Sequence, residues 1–407
     1  YKPRNENMNR LITASTTILF LLTACGGGES ESSIPGSTSA VNGVTDTEVV
    51  IGSHNDLSGP TALLGAAAVN GARMRFDEVN EAGGVHGRKI RFIVEDAQYQ
   101  VPRAIQAANK LINRDKIFAM LLAMGTPMNN AVMPMLFEKG IPNLFPISGA
   151  RSMVEPFKKL QFTGRGIYYD EIQAGAKYFV EEKGASTPCI VYQDTDFGQE
   201  IFDGARDQLA AMGMEAAAIS AHKPTDTEFT STILRLRNAG CDVVLMGTIH
   251  KDTILIFEAA RKMGWENVTW VGTNASYNQV VAELESGAAE GYTVFVHMAA
   301  FYRDDPALKP ELAAWWDTYV EKFGILPEYA AMEGYRNADL VVRALENAGR
   351  ELSHESLVAG MEAITNYTDY FGNRLSFGPQ DHKGVKESAR STVVNGRWQT
   401  ATESVNY

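Results

Sequence analysis

From Thr47 onward the chain alternates two patterns, and that alternation limits its possible folds more than any other feature. "TEVVIGSHNDLSGP" is a short β-branched run ending in a polar loop with Gly59-Pro60. "TALLGAAAVNGARMRFDEVNEAGG" follows, with apolar residues at three- and four-residue steps and a Gly83-Gly84 stop. "KIRFIVEDAQ", a helical pattern from Val101 to Arg114, the run "IFAMLLAMGTP", a helical stretch from Asn129 to Lys139, and "IPNLFPISGA" continue the rhythm. The strand-like runs are continuously apolar. Strands read that way when helices cover both faces of a parallel sheet.

After Gly164 the rhythm restarts. Tyr169 to Lys183 reads as a helix, "CIVYQDTDFG" as strand and loop, and Gln199 to Met212 as a helix. "EAAAISAHKP", "CDVVLMGTIH" and "VTWVGTNAS" are strands, separated by helices from Phe229 to Asn238 and from Thr253 to Met263. Two successive α/β units of like size predict two doubly wound parallel-sheet lobes, repeated in pattern and not in residues. The last third differs. Leu312 to Phe323 and Glu333 to Ala348 are long amphipathic helices, and the strand-like "RLSFGP" and "STVVNGRW" are joined by the polar turn "QDHKG". This section is expected to return to the first lobe and finish near the second.

A chain of 407 residues, 45% hydrophobic and 21% charged, has ample material for two cores. Its net charge of −12 argues against a general nucleic-acid binder, which needs many Lys and Arg contacts to phosphate. The three cysteines, Cys25, Cys189 and Cys241, match no zinc spacing, and no metal is expected. Cys189 and Cys241 head neighbouring strands of the second lobe. Two buried free thiols are the expectation there, with a disulfide as the alternative in an oxidising compartment.

The apolar run Leu11 to Ala24 is shorter than the roughly 20 residues of a membrane span, and it follows Lys2, Arg4 and Arg10. It reads as a signal-peptide core. Leu22-Thr23-Ala24-Cys25 resembles the bacterial lipobox, in which the thiol receives a diacylglyceryl group, and "GGGESESS" after it suits a flexible tether. Lipidation at Cys25 is therefore expected, with an ordinary signal peptide ending near Ala24 as the alternative.

From Val49 to about Trp398 the order of motifs resembles the solute-binding proteins of ABC importers. More narrowly, it resembles the branched-chain-amino-acid (Leu/Ile/Val-binding) type with the type I periplasmic binding fold. The likeness is carried by "LSGPTALLG", "NGARMRFDEVNEAGGVHGRKIRFIVEDAQ", "AANKLI", "KGIPNLFPISGA", "YQDTDFGQE" and "FTSTILRLRNAGCDVVLMG". It implies a signal peptide over 1–24, a tether over 25–46, a first lobe of 47–163 plus 299–385 and a second of 164–298 plus 386–407. Hinge crossovers are expected near Phe162–Gly166, Phe295–Ala299 and Val385–Thr392. It also implies an extracytoplasmic monomer held to the membrane by lipid, a small carboxylate ligand, and an ABC permease with its ATPase as partners. No cofactor is implied.

Ligands of open α/β sheets lie at the carboxyl ends of the strands, so the loops found there are the candidate site. In "NDLSGPTALLG", Leu64 stands where amino-acid-binding relatives carry an aromatic; its alternative role is helix packing. Thr126 in "AMGTPMN" matches a family serine that bonds the ligand carboxylate, with an N-cap as the other role. Ser148, Gly149 and Ala150 in "FPISGAR" match the loop that completes the carboxylate site, while Arg151 is expected to point to solvent. Phe197 matches an aromatic that covers the ligand on closure; Asp194 and Asp196 read as turn formers. Ile249 and His250 are further candidates, a structural loop role competing for His250.

Asn274 in "VGTNAS" is the departure. Relatives carry an acid there that neutralises the ligand ammonium, and an amide brings no charge. Either Glu333 or Asp194 substitutes, or the ligand is an aromatic or aliphatic acid without an ammonium. Tyr99, Tyr168, Tyr277 and Phe197 would then wall a ring, unless they are packing residues.

No GxSxG, HExxH, P-loop or G-x-G-x-x-G occurs, and the seven histidines are scattered. A binder is expected and an enzyme is not. The rival of another class is a ligand-sensing receptor subunit. Such a subunit would carry a membrane helix or output domain, and neither is legible before Tyr407.

Overall fold

A computed structural model describes residues 41–406. The expected signal peptide, Cys25 and most of the expected tether lie outside the described residues. The tether's last residues, 41–46, are docked on the fold. Gly43 O accepts Val50 N at 2.8 Å, Thr45 O accepts Arg88 Nε at 2.6 Å, and Val41 and Val44 pack on the core. Two valines were too apolar for a solvated linker.

The first sheet is built by β1 (Glu48–Asn55), α1 (Ala62–Glu81), β2 (Lys89–Asp96), α2 (Val101–Asn113), β3 (Ala119–Leu121), α3 (Thr126–Glu138), β4 (Asn143–Leu144) and β5 (Gln161–Phe162). Its order is β2-β1-β3-β4-β5, every pair parallel. The second unit runs α4 (Tyr168–Lys177), β6 (Pro188–Gln193), α5 (Asp196–Ala211), β7 (Ile219–His222), α6 (Thr230–Asn238), β8 (Val243–Gly247), α7 (His250–Lys262), β9 (Thr269–Thr273), α8 (Gln279–Ala282) and β10 (Thr293–Val296). The chain then forms α9 (Pro310–Phe323), α10 (Tyr329–Ala348), α11 (His354–Glu362), a small ribbon of β11 (Tyr367–Thr368) and β12 (Arg374–Leu375), and finally β13 (Glu387–Val394) and β14 (Arg397–Asn406).

The second sheet has the order β14-β13-β10-β9-β8-β6-β7. Strand β8 is buried throughout, as its unbroken apolar sequence requires. The antiparallel edge was not foreseen. Asn395 and Gly396, both with positive φ (53° and 73°), close a two-residue hairpin between β13 and β14. "QDHKG", expected to join the last strands, instead brings Lys383 beside Thr163 of the first lobe. Among the described residues no helix is long and apolar enough to cross a membrane.

Helix α10 completes the first lobe by packing on α1. A Cβ on Gly71 would lie 1.9 Å from Ala331 O, and one on Gly334 would lie 1.9 Å from Ala68 O, so both glycines permit the backbones to meet. Arg75 Nε donates to Asp339 Oδ1 at 2.8 Å across the same contact.

Cys189 and Cys241 are bonded to one another, with Cα atoms 5.8 Å apart. The expectation of free thiols is thus corrected. Strands β6 and β8 pair directly, and that adjacency brings two thiols at the same strand end within bonding reach.

The chain leaves the first sheet after Phe162, leaves the second after Val296 and rejoins it at Glu387. Glu171 of α4, wholly buried, ties the first and last of these passages together. Its carboxylate accepts Asn274 N at 2.9 Å and Asn274 Nδ2 at 2.7 Å, with Ser388 Oγ at 3.5 Å; Asn274 Nδ2 also reaches Gly166 O at 3.1 Å. Burial outweighs these donated bonds and raises the Glu171 pKa from 4.5 to about 8.

Two outcomes are expected. Replacing both Cys189 and Cys241 with serine lowers stability by roughly 2–4 kcal/mol in urea unfolding, because the closed loop is long. For Glu171, the folded state keeps a proton that the unfolded chain has already lost between pH 4.5 and about 8. Its contribution is therefore fully present below the unfolded value and lost as pH climbs through the folded one, with a slope of at most about 1.4 kcal/mol per pH unit. Unfolding at pH 5.5 and 8.5 should show wild type losing more stability than Glu171→Gln; equal losses would remove Glu171 as the source.

Candidate functional site

The loops at the carboxyl ends of both sheets converge. After β1, the Asp56 carboxylate accepts Thr61 N at 2.8 Å and Thr61 Oγ1 at 2.7 Å, folding residues 56–61 so that α1 starts with Leu64 turned inward. Tyr99, Leu122 and Phe145, soon after β2, β3 and β4, have left-handed backbone (φ 53°, 55° and 52°). Strain of that kind gathers at functional loops.

Gly125 (φ 87°) is the N-cap of α3, and Thr126 is its first residue. The Thr126 hydroxyl does not cap the helix. It meets Ser148 Oγ at 2.8 Å, and Ser148 Oγ accepts Ala150 N at 3.3 Å. Gly149 O accepts Tyr168 N at 2.7 Å, which binds this loop to the start of α4. A buried hydroxyl pair at the amino end of a helix is suited to an anion.

From the second lobe, Thr195 caps α5 and sets Phe197 in its first turn, edge-on to Tyr168 with ring centroids 5.3 Å apart. Ile249 precedes α7. Burial lowers the His250 pKa to about 4, keeping the ring neutral at physiological pH.

Between these loops lies a cavity of about 20 Å³. Thr61, Leu64, Tyr99 and Thr126 line it from the first lobe, Arg165 and Tyr168 from the first crossing, and Phe197, Ile249 and Ala275 from the second lobe. That is room for about one or two water molecules, so the cleft is nearly closed. Outside it lies a mouth of about 520 Å³ bordered by Asn130 and Ser152 on one side and Asp194, Asp196, Glu200 and Asp203 on the other.

Two contacts bridge that mouth. Asn130 Nδ2 donates to Asp196 Oδ2 at 2.8 Å, and Arg151 Nε donates to Glu200 Oε2 at 2.9 Å. Arg151 also stacks over Tyr169, 3.9 Å from the ring centre. The expectation that Arg151 points to solvent is corrected: the acids of α5, a helix of the opposite lobe, attract it. Asp196 likewise does more than form a turn.

The predicted residues fall into two groups. Leu64, Tyr99, Thr126, Phe197 and Ile249 line one cavity; Ser148, Gly149 and Ala150 stand behind Thr126. Asn274 lies beneath, its amide nitrogen committed to Glu171, while its neighbour Ala275, itself buried, lines the cavity. His250 is not among the lining residues. Tyr277 is not a wall of this cavity: it is buried against Tyr329 and Trp398, and its hydroxyl accepts Ala300 N at 2.9 Å. Glu333 does not face it as a bare acid, because both its oxygens are held by Arg165. Asp194 borders the mouth.

Arg165 is the residue that sequence reasoning missed. A guanidinium between Gly164 and Gly166, in a stretch read as a hinge, was the available signal. Among the described residues no group of three or more His, Cys, Asp or Glu side chains is placed to hold a metal.

A family model described as periplasmic binding protein matches residues 48–397. Leu/Ile/Val-binding protein homolog 8 of Brucella abortus is 24% identical over 372 residues, covering 86% of this chain and 88% of its own. A Rhodopseudomonas palustris solute binding protein of an ABC transporter, solved with benzoate, superposes with a TM-score of 0.77 at 18% identity, over 88% of this chain and 98% of its own. A branched-chain amino acid transporter substrate binding protein from Streptococcus pneumoniae, solved with isoleucine, gives a TM-score of 0.75 at 21% identity, over 89% and 100%. With its two sheets, its crossings and its inter-sheet cleft, the chain belongs to the periplasmic binding protein family, in the type I, Leu/Ile/Val-binding branch.

Proposed function

We propose that this protein is the extracytoplasmic solute-binding component of an ABC importer and that it captures a small carboxylate in the cleft between its lobes. The observation that carries the reading is the Thr126 hydroxyl, backed by Ser148, buried at the head of α3 and lining a cavity whose remaining walls are mostly apolar. With the Ser148 O–H spent on Thr126, the Thr126 O–H is left to donate to a carboxylate while the walls exclude water. The protein binds and releases without making or breaking bonds. A lipid on Cys25 and the residues after it would hold it near a permease and its ATPase, where it acts as a monomer.

Capture proceeds by hinge closure. The first-lobe loops take the carboxylate, Phe197 and Ile249 close over the remainder, and the mouth contacts from Asn130 and Arg151 form. The Arg151–Glu200 ion pair, partly open to water, contributes only about 0–1 kcal/mol, and the neutral Asn130 amide adds one hydrogen bond to Asp196. The bound ligand must therefore supply most of the shift toward closure.

Two ligand classes follow. Amino acids with branched or other apolar side chains suit the apolar walls, and the Brucella and Streptococcus relatives are named for such ligands. A specific observation favours the second class, aromatic or aliphatic acids without an ammonium. The cavity is lined by Arg165 and by no carboxylate, and Asn274, whose amide nitrogen is held by Glu171, is not among the lining residues. An unpaired ammonium there would cost several kcal/mol. The benzoate complex of the Rhodopseudomonas protein shows that the fold accommodates such a ligand.

A thermal-shift screen with leucine, 4-methylpentanoate and benzoate separates the classes. Stabilisation by the two acids and not by leucine is expected; the reverse would return the site to amino acids. Thr126→Ala should weaken binding of the stabilising acid by roughly 1–3 kcal/mol in calorimetric titration, the range for an orphaned buried partner. Unchanged affinity would take Thr126 out of the site.

A further inference from the structure

We propose that Arg165 is the specificity-determining residue of the cleft: its guanidinium accepts a carboxylate, turns away ligands whose carboxylate stands beside an ammonium, and is held in check by Glu333. This rests on the cleft being the ligand site.

Arg165 is 2% exposed, yet it lines the same small cavity as Thr126. Its five N–H groups are unevenly used. Nε donates to Glu333 Oε1 at 2.9 Å and Nη2 donates to Glu333 Oε2, while Nη1 meets only the Tyr168 hydroxyl, at a long 3.4 Å. One edge of the fork is thus satisfied and the other is weakly held. Since the cavity and Thr126 adjoin it, an arriving carboxylate can take Nη1 and the Thr126 hydroxyl together.

The charges around it set the selectivity. Glu333 is 1% exposed, and His297 Nε2 lies 3.9 Å from its Oε1. Burial, with the nearby cations Arg336 and Arg165, keeps His297 neutral, so Glu333 compensates Arg165 and little else. Glu171, the other buried acid of this region, is engaged by Asn274. A carboxylate bound at Arg165 adds a negative charge beside a cation already sharing its partner. An α-ammonium bound there meets that cation and finds no acid on the cavity wall. The ligand class is a small monocarboxylate, aliphatic or aromatic, without an ammonium.

The test is calorimetric titration of benzoate, its neutral isostere benzamide, 4-methylpentanoate and leucine against wild type, Glu333→Gln and Arg165→Lys, with thermal melts to establish folding. Wild type should prefer benzoate to benzamide, and 4-methylpentanoate to leucine. Glu333→Gln releases the guanidinium from its partner and should widen the benzoate-to-benzamide ratio by about tenfold, the scale of a hydrogen bond to a charged group. Arg165→Lys keeps a charge but loses the fork, and should narrow that ratio at least about fivefold. It reads the same quantity if Glu333→Gln does not fold. A purely structural Arg165 would weaken acid and amide alike. A ratio unmoved in a folded variant, or leucine bound as tightly as 4-methylpentanoate by wild type, overturns the inference alone. Failure of wild type to bind any of the four overturns the cleft reading, and the inference with it.

Discussion

The buried ion pair between Arg165 and Glu333 is the interaction on which the centre of the molecule depends. Both side chains are almost wholly out of water, and each would cost several kcal/mol if left alone there. The two-point geometry of guanidinium on carboxylate is what offsets that cost. It also fixes topology, because Arg165 belongs to the passage between the sheets and Glu333 to α10. Arg336, three residues along the same helix, donates to Gly164 O at 2.7 Å and grips that passage a second time. The His297 ring, on the next passage, bonds the Tyr329 hydroxyl at the start of α10. One helix thus organises two of the strands that join the lobes.

Such an arrangement gives the cleft a stiff floor and adjustable rims. The floor carries compensated charges in a dry interior, where a separated pair is expensive, so these groups favour moving together. The rims meet through Asn130 with Asp196 and Arg151 with Glu200, contacts open enough to water that solvent competes for them. Between floor and rim lie Tyr99, Tyr168 and Phe197, whose large faces exclude water at modest entropic cost. Resistance to motion therefore falls from the inside outward.

Much of this was legible beforehand because parallel strands buried on both faces must be written as unbroken apolar runs. Strands β1, β6, β8 and β9 stand where such runs predicted them, and Thr126 falls at the head of a helix after β3 for the same reason. What escaped depends on neighbours across space. Arg151 looks like any loop arginine until the acids of α5 are set opposite it, and Tyr277 looks like a cleft aromatic until Trp398 is folded over it. The thiol pairing follows from strand adjacency and not from spacing in the chain. One miss was local. Asn395-Gly396 is a strong hairpin signal, and the polar stretch before it drew the eye instead.

The contact between α1 and α10 has a consequence for how the chain matures. Arg75 and Asp339 meet although 264 positions separate them, and the glycine-lined backbone approach between the two helices is formed from the same distant segments. The amino-terminal lobe cannot cover that flank until nearly all of the polypeptide, the other lobe included, has been synthesised. Loop closure over such spans is slow, and a nascent chain with an uncovered apolar flank stays loosely assembled for a long time. Completion of the first lobe is therefore a late event, set by residues Tyr329–Ala348 and not by the amino-terminal half alone.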